Sequence, residues 1–224
     1  MEMRTTTPAP SAADVGKAQV ASFLEIDAAA LRHNLQVFRE AIGDGGDAPR
    51  VGVVLKGNAY GHGLASVLPA VHAFCDCLYV IAPGEAEGIR AWEAQGELPR
   101  RRVLVIGAVS ATEAVRLSEL DVEVVIGDKG FTAWAEALRV ARGKPLVVHV
   151  HVDTGLGREG FLPSELPSLL RQIASCRDVL DIRGCLSHFA NVEDVTEQAY
   201  ALEQVSRFQD AVTILESGGV EGVE

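Results

Sequence analysis

Apolar residues recur along the chain in two alternating rhythms. Leu31, Leu35, Phe38 and Ile42 stand three and four residues apart behind Asp27, which predicts an amphipathic helix with an aspartate at its N-cap. A short strand candidate, Ser22 to Ile26, precedes that helix, and Gly43-Asp-Gly-Gly-Asp47 ends it. Beyond it, apolar runs at Val51 to Leu55, Cys77 to Ala82, Val103 to Ile106, Val122 to Ile126, Leu146 to Val152 and Ile182 to Leu186 predict strands, with helical stretches between them. A last helical pattern covers Val195 to Leu215. Successive strand starts lie roughly 20–35 residues apart, which is the spacing of βα units and predicts a mainly parallel sheet. Six such strands fit either an open doubly wound sheet or three-quarters of an eight-stranded barrel, and periodicity does not separate the two.

The chain has 224 residues, 48% of them hydrophobic, enough to bury a substantial core, and its formal charge is −11. That charge argues against a nucleic-acid surface, which needs clustered Lys and Arg. Cys75, Cys77, Cys176 and Cys185 form no C-x-x-C pair and read as reduced, mostly buried thiols. Residues 1–20 are polar and proline-bearing, with no apolar core of a signal peptide, and are expected to be a disordered tail ahead of one main domain over 21–224. No run of about eighteen apolar residues occurs, so no membrane span and a cytoplasmic location are expected.

Lys56 closes the run Val51-Gly-Val-Val-Leu55 and opens Gly57-Asn-Ala-Tyr-Gly-His-Gly63. A primary amine is thereby expected at a strand's C-terminal rim, where partial burial disfavours the ammonium and suits Schiff-base chemistry with an aldehyde. The glycines let backbone approach a ligand, and a helix beginning near Leu64 is expected to aim N–H groups at a phosphate. Farther on, His149, His151 and Asp153 alternate along one strand and so share a face. A barrel would bring His188 toward the same lumen, a polar layer that also suggests zinc ligation as a rival chemistry. Gly155-Leu-Gly-Arg-Glu-Gly160 fits the dinucleotide pattern, but Pro163 places the next helix after the glycines rather than among them.

The stretch Val54-Leu-Lys-Gly-Asn-Ala-Tyr-Gly-His-Gly63 closely resembles the cofactor-lysine motif of alanine racemases. Two further blocks of that family follow in order, Val152-Asp-Thr-Gly-Leu-Gly-Arg-Glu-Gly-Phe161 and Gly184-Cys-Leu-Ser-His-Phe-Ala190. The resemblance implies an α/β fold, a (β/α)₈ TIM-type barrel present for about six of its eight βα units, with the C-terminal β domain absent. It implies pyridoxal 5′-phosphate carried on Lys56, Tyr60 reaching the phosphate, Arg158 contacting cofactor and substrate, and His188 packing against the cofactor ring. Asp153 is expected to organise its turn by accepting backbone N–H bonds. His151 is a departure, because many family members have a carbamylated lysine there whose negative charge orients the arginine.

The implied activity is interconversion of L- and D-alanine, supplying D-alanine for peptidoglycan, by a homodimer in the full-length form. It is impaired in a chain that lacks the partner-facing domain. A single-domain pyridoxal-phosphate binding or homeostasis protein is the alternative, and a zinc-dependent barrel hydrolase ranks behind it.

Overall fold

The computed structural model describes residues 24–43, 48–96, 98–193 and 196–224, in two units that divide between Val103 and Leu104. The expected tail, the start of the Ser22 strand, most of the Gly43–Asp47 terminator and Val195 lie outside the described residues.

In the first unit, helix α1 (Ala28–Ile42) starts where the pattern predicts, and Asp27 Oδ1 accepts from the N–H groups of Ala29 and Ala30 at 2.8 and 3.1 Å. Its apolar stripe is only partly covered: Leu31, Leu35 and Ile42 are half-buried, while Phe38 is 65% exposed. Strand β1 (Gly52–Val54) pairs in parallel with β2 (Cys77–Val80), Gly52 opposite Cys77. The Tyr79 ring lies diagonally over Gly52, where an added Cβ would come 2.0 Å from Tyr79 Cε2. Asp76 pins the entry to β1 by accepting from Val51 N at 2.7 Å. Helices α2 (Leu64–Val71) and α3 (Pro83–Ala94) supply the core, with Leu68, Leu78, Val80, Ala86 and Ile89 inaccessible to solvent. The predicted strand Cys77–Ala82 stops at Val80, because the N–H groups of Ile81 and Ala82 turn to the Glu85 carboxylate at the start of α3.

Beneath α3 lies a buried charge network. Glu93 accepts from Arg90 at 2.6 Å and from Arg101 N at 2.9 Å, and its Oε1 stands 3.3 Å from His72 Nε2. His72 Nδ1 has no partner. Burial drives the His72 pKa below its ordinary 6.5, against the opposing pull of Glu93.

The second unit takes over at the end of β3 (Arg102–Val105) and continues through α4 (Ala111–Glu119), β4 (Glu123–Ile126), α5 (Phe131–Ala141), β5 (Leu146–His151), α6 (Leu166–Ala174), β6 (Leu180–Leu186) and α7 (Ala199–Ser217). Strands β3, β4, β5 and β6 pair in sequence order, all parallel. Four consecutive strands in unbroken order match a barrel and not a doubly wound sheet, whose order reverses at a switch point. Strand residues Val124, Ile126 and Val148 and helix residues Phe131, Leu138 and Ile173 contribute to the apolar core, none of them accessible. The β5–β6 register slips between Val148 and His149, which brings His149 opposite Gly184. A Cβ at Gly184 would come 2.2 Å from the backbone oxygen of Glu224 and 2.9 Å from His149 Nδ1, so the glycine makes room for both.

Neutral His72 links stability to acidity. The unfolded chain binds this proton near pH 6.5 and the folded chain only at lower pH, so the stabilisation is full above about pH 6.5 and is lost as pH falls through the folded value. Urea midpoints are expected to decline from pH 7.5 to pH 5.5. His72→Asn should lower the midpoint at pH 7.5 and flatten that decline; an unchanged slope would show that another group titrates.

Candidate active site

At the end of β1 the backbone enters a left-handed turn. Gly57, Asn58, Ala59 and Tyr60 have φ of 63°, 56°, 55° and 54°. Each of the three non-glycine residues costs roughly 1–2 kcal/mol in this region, so other bonds must hold the turn. Within it, Ala59 N donates to Leu55 O at 2.8 Å and Gly61 N to Gly57 O at 2.9 Å. From outside, Glu85 Oε1 accepts from Asn58 N at 2.7 Å, while its Oε2 holds Ile81 N and Ala82 N at 3.0 and 3.2 Å. His62 Nδ1 lies 2.7 Å from Ala59 O, which makes that nitrogen the protonated one.

The turn sets Lys56 half-buried at the strand's end and projects Tyr60 outward, 61% exposed. The Lys56 ammonium sits 5.8 Å from the Tyr60 ring centroid, within cation–π range. The expected phosphate cradle at the start of α2 is not formed by its leading N–H groups. Leu64 N donates to Asn58 Oδ1 at 2.7 Å, and Ser66 N and Val67 N both donate to Gly63 O. Asn58 of the left-handed turn takes the first of these donors, and the Gly63 carbonyl just ahead of the helix takes the other two.

In the second unit, His149 and His151 share the inner face of β5, both buried. His149 Nε2 meets Glu123 Oε2 at 2.7 Å. Among the described residues no three His, Cys, Asp or Glu side chains converge as metal ligands. His151 is held below its ordinary pKa first by burial and then by Arg158 and His188, against the carboxylates of Glu159 and Asp153. The loop that follows is tied at its neck, where Asp153 N donates to Phe161 O and Phe161 N to His151 O, both at 2.9 Å. Inside it, Asp153 Oδ1 accepts from Gly155 N and Gly157 N at 2.9 and 3.1 Å. Burial alone would raise the Asp153 pKa, but these N–H groups bring it below the usual carboxylate range. Gly160 has φ of +103°, and a Cβ there would come 2.8 Å from His151 O. No helix begins among the glycines: a short turn at Pro163–Glu165 and then α6 follow Phe161, which disposes of the dinucleotide pattern.

Arg158 leaves this loop toward a cavity of about 460 Å³ at the C-terminal ends of β3, β4 and β5, together with His151, Glu159 and Trp134. Its Nε and Nη2 both meet Glu159 Oε1, at 3.2 and 3.0 Å. His188 is exposed past the end of β6 and lines a second, smaller cavity of about 160 Å³ with Thr154 and Phe208. Lys56 and Tyr60 thus meet in the first unit, and His151, Asp153 and Arg158 in the second, where His188 acts electrostatically on His151 and lines a cavity with Thr154.

Four residues absent from the sequence reading organise these loops. Gln204 of α7, 2% exposed, donates to Thr154 Oγ1 and to His188 O, both at 3.1 Å, and accepts from Ala190 N. Tyr200 donates to Gly155 O at 2.6 Å and Arg207 to Thr154 O at 2.9 Å. Glu85 is the fourth. Its place three residues past Ala82, just behind a proline, was the available signal of a helix start; nothing in the pattern of α7 marks Gln204.

The three backbone bonds to Glu85 make the left-handed turn sensitive to that carboxylate. Glu85→Ala is expected to destabilise the chain by about 2 kcal/mol, the scale for hydrogen bonds to a charged acceptor. Urea unfolding measures the loss, and a change under a few tenths of a kcal/mol would show that the turn holds without it.

The geometry has close relatives. The Alanine racemase, N-terminal domain family matches residues 26–223. An alanine racemase 2 from Caldanaerobacter subterraneus subsp. tengcongensis is 30% identical over 198 residues, which cover 88% of this chain and 49% of that protein. An alanine racemase from Desulforamulus reducens is 31% identical over 88% of this chain and 51% of its own length. Among solved structures, alanine racemase from Streptomyces coelicolor superposes with a TM-score of 0.77 at 27% identity, covering 87% of this chain and 50% of that one. The Bacillus anthracis enzyme with bound L-Ala-P gives 0.74 at 26% identity, over 87% and 48%. The chain spans about half the length of the relatives it matches. Its fold class is therefore α/β, six βα units of a (β/α)₈-type barrel, and the chain belongs to the alanine racemase family through that family's N-terminal domain.

Proposed function

We propose that this chain is the cofactor-bearing half of an amino-acid racemase that interconverts L- and D-alanine, with pyridoxal 5′-phosphate carried on Lys56. The observation that carries this reading is the half-buried Lys56 amine at the C-terminal end of β1, in a chain of this family, beside an exposed tyrosine hydroxyl. These groups suit such a cofactor: an amine to bond its aldehyde and a hydroxyl to meet its phosphate. When bound, the cofactor supplies an electron-poor ring that weakens the substrate's Cα–H bond.

This chain's own residues then do the following. Lys56 holds the cofactor and moves a proton at one face of the substrate's Cα. Tyr60 donates to a phosphate oxygen. Arg158 orients an anionic oxygen of substrate or cofactor through paired N–H donors. Asp153 keeps the arginine loop in shape, and His188 packs as an aromatic support. His151, buried and biased toward its neutral form, adds no fixed charge of its own. The full-length form is a cytoplasmic homodimer on this reading, and its product feeds peptidoglycan synthesis.

Incubation with pyridoxal 5′-phosphate, borohydride reduction and peptide mapping tests the proposal. The label is expected on Lys56 and is expected to vanish in Lys56→Ala. Tyr60→Phe should weaken cofactor retention about tenfold, the loss of one hydrogen bond to a charged oxygen. A label on any other lysine, or none, would sink the reading.

A further inference from the structure

Arg158 and Glu159 are chain neighbours, and side chains of adjacent loop residues ordinarily diverge. Here Nε and Nη2 of the guanidinium converge on a single carboxylate oxygen, Glu159 Oε1. The backbone beneath is not adjustable. Gly160 occupies the left-handed region with no space for a Cβ, and Phe161 is bonded to both His151 and Asp153, so Glu159 emerges from a fixed neck. The same Oε1 stands 3.7 Å from His151 Nδ1, just beyond hydrogen-bonding range. The carboxylate therefore sits between a permanent cation and an imidazole that burial biases toward its neutral form.

We propose that Glu159 is a positioning residue for Arg158: its negative charge clamps the Nε–Nη2 edge of the guanidinium and turns the Nη1–Nη2 edge to the cavity for an oxygen of a ligand. The claim rests on the functional reading for the identity of that ligand, whereas the clamp itself is a property of the chain. Since Glu159 Oε1 receives both bonds, one rotation of Arg158 is selected among those open to a half-exposed side chain. The guanidinium's remaining donors stay available to a planar, two-oxygen anion.

The test compares the neutral isostere Glu159→Gln with the shorter, charge-keeping Glu159→Asp. In the ¹⁵N-labelled full chain, the Arg158 Nε–H signal is identified by its loss in Arg158→Lys. Its hydrogen exchange is expected to be about fivefold faster in Glu159→Gln, the change that a partly exposed charge pair supports, and to return toward wild type in Glu159→Asp. A merely space-filling role predicts the reverse order, since Gln keeps the shape and Asp does not. Equal exchange in wild type and Glu159→Gln, or an Asp variant no nearer wild type than Gln, overturns the proposal. Borohydride labelling run beside it keeps the two readings apart. Lys56 labelled with no Gln–Asp ordering defeats the clamp alone, and the ordering without Lys56 labelling upholds the clamp and defeats the cofactor reading.

Discussion

A strand that ends in a left-handed turn has to be held there by something stronger than the turn's own bonds, and in the first unit that something is the Glu85 carboxylate. One acid caps two features at once, the start of α3 and the Asn58 amide, so the helix after β2 and the turn after β1 are fixed to each other. The placement of Lys56 follows from this. With the turn right-handed, the chain after Leu55 would continue in another direction, and Tyr60 would not stand beside the amine. The strain is local and the restraint comes from elsewhere in the unit, the usual arrangement where a backbone conformation serves a site.

Asp153 plays the corresponding part in the second unit. Its carboxylate gathers N–H groups from a loop of three glycines, and α7 grips the outside of the same loop through Tyr200, Gln204 and Arg207. In both units charged or polar side chains bond to loop backbone, and in the second unit some also bond to one another, as Gln204 does to Thr154 Oγ1 and Arg158 to Glu159. Such bonds fix individual loop atoms, while the apolar layer behind the strands sets where the strands run.

Much of the fold was legible because βα units carry their own punctuation. Asp27 announces α1, the alternation of apolar runs announces the strands, and Pro163 shows that the glycines of 155–160 do not open a helix. What could not be read was mostly non-local. Whether the sheet is barrel-like depends on strand order, which no window of sequence contains; the unbroken run β3 to β6 supplies it. The α2 N-terminus read as a phosphate cradle because Gly61 to Leu64 has the right composition, and only the left-handed φ values show that Asn58 reaches it first. Lys56, Tyr60, Asp153 and Arg158 are singled out as candidates by ordered motifs, whereas Gln204, an unremarkable residue by any local measure, joins the His188 and Thr154 segments. His151, where the resemblance leads one to expect a carbamylated lysine, is accompanied by an acid from the next turn of the loop.

The closed neck between His151 and Phe161 separates two kinds of evolutionary change. Because both flanks of the loop are bonded across that neck, replacements at its tip, near Leu156, act on whatever the loop meets without altering how β5 is aligned with β6. Altered ligand preference can thus be sampled there while the scaffold keeps its alignment, a freedom that an unbridged excursion of the same length would not confer.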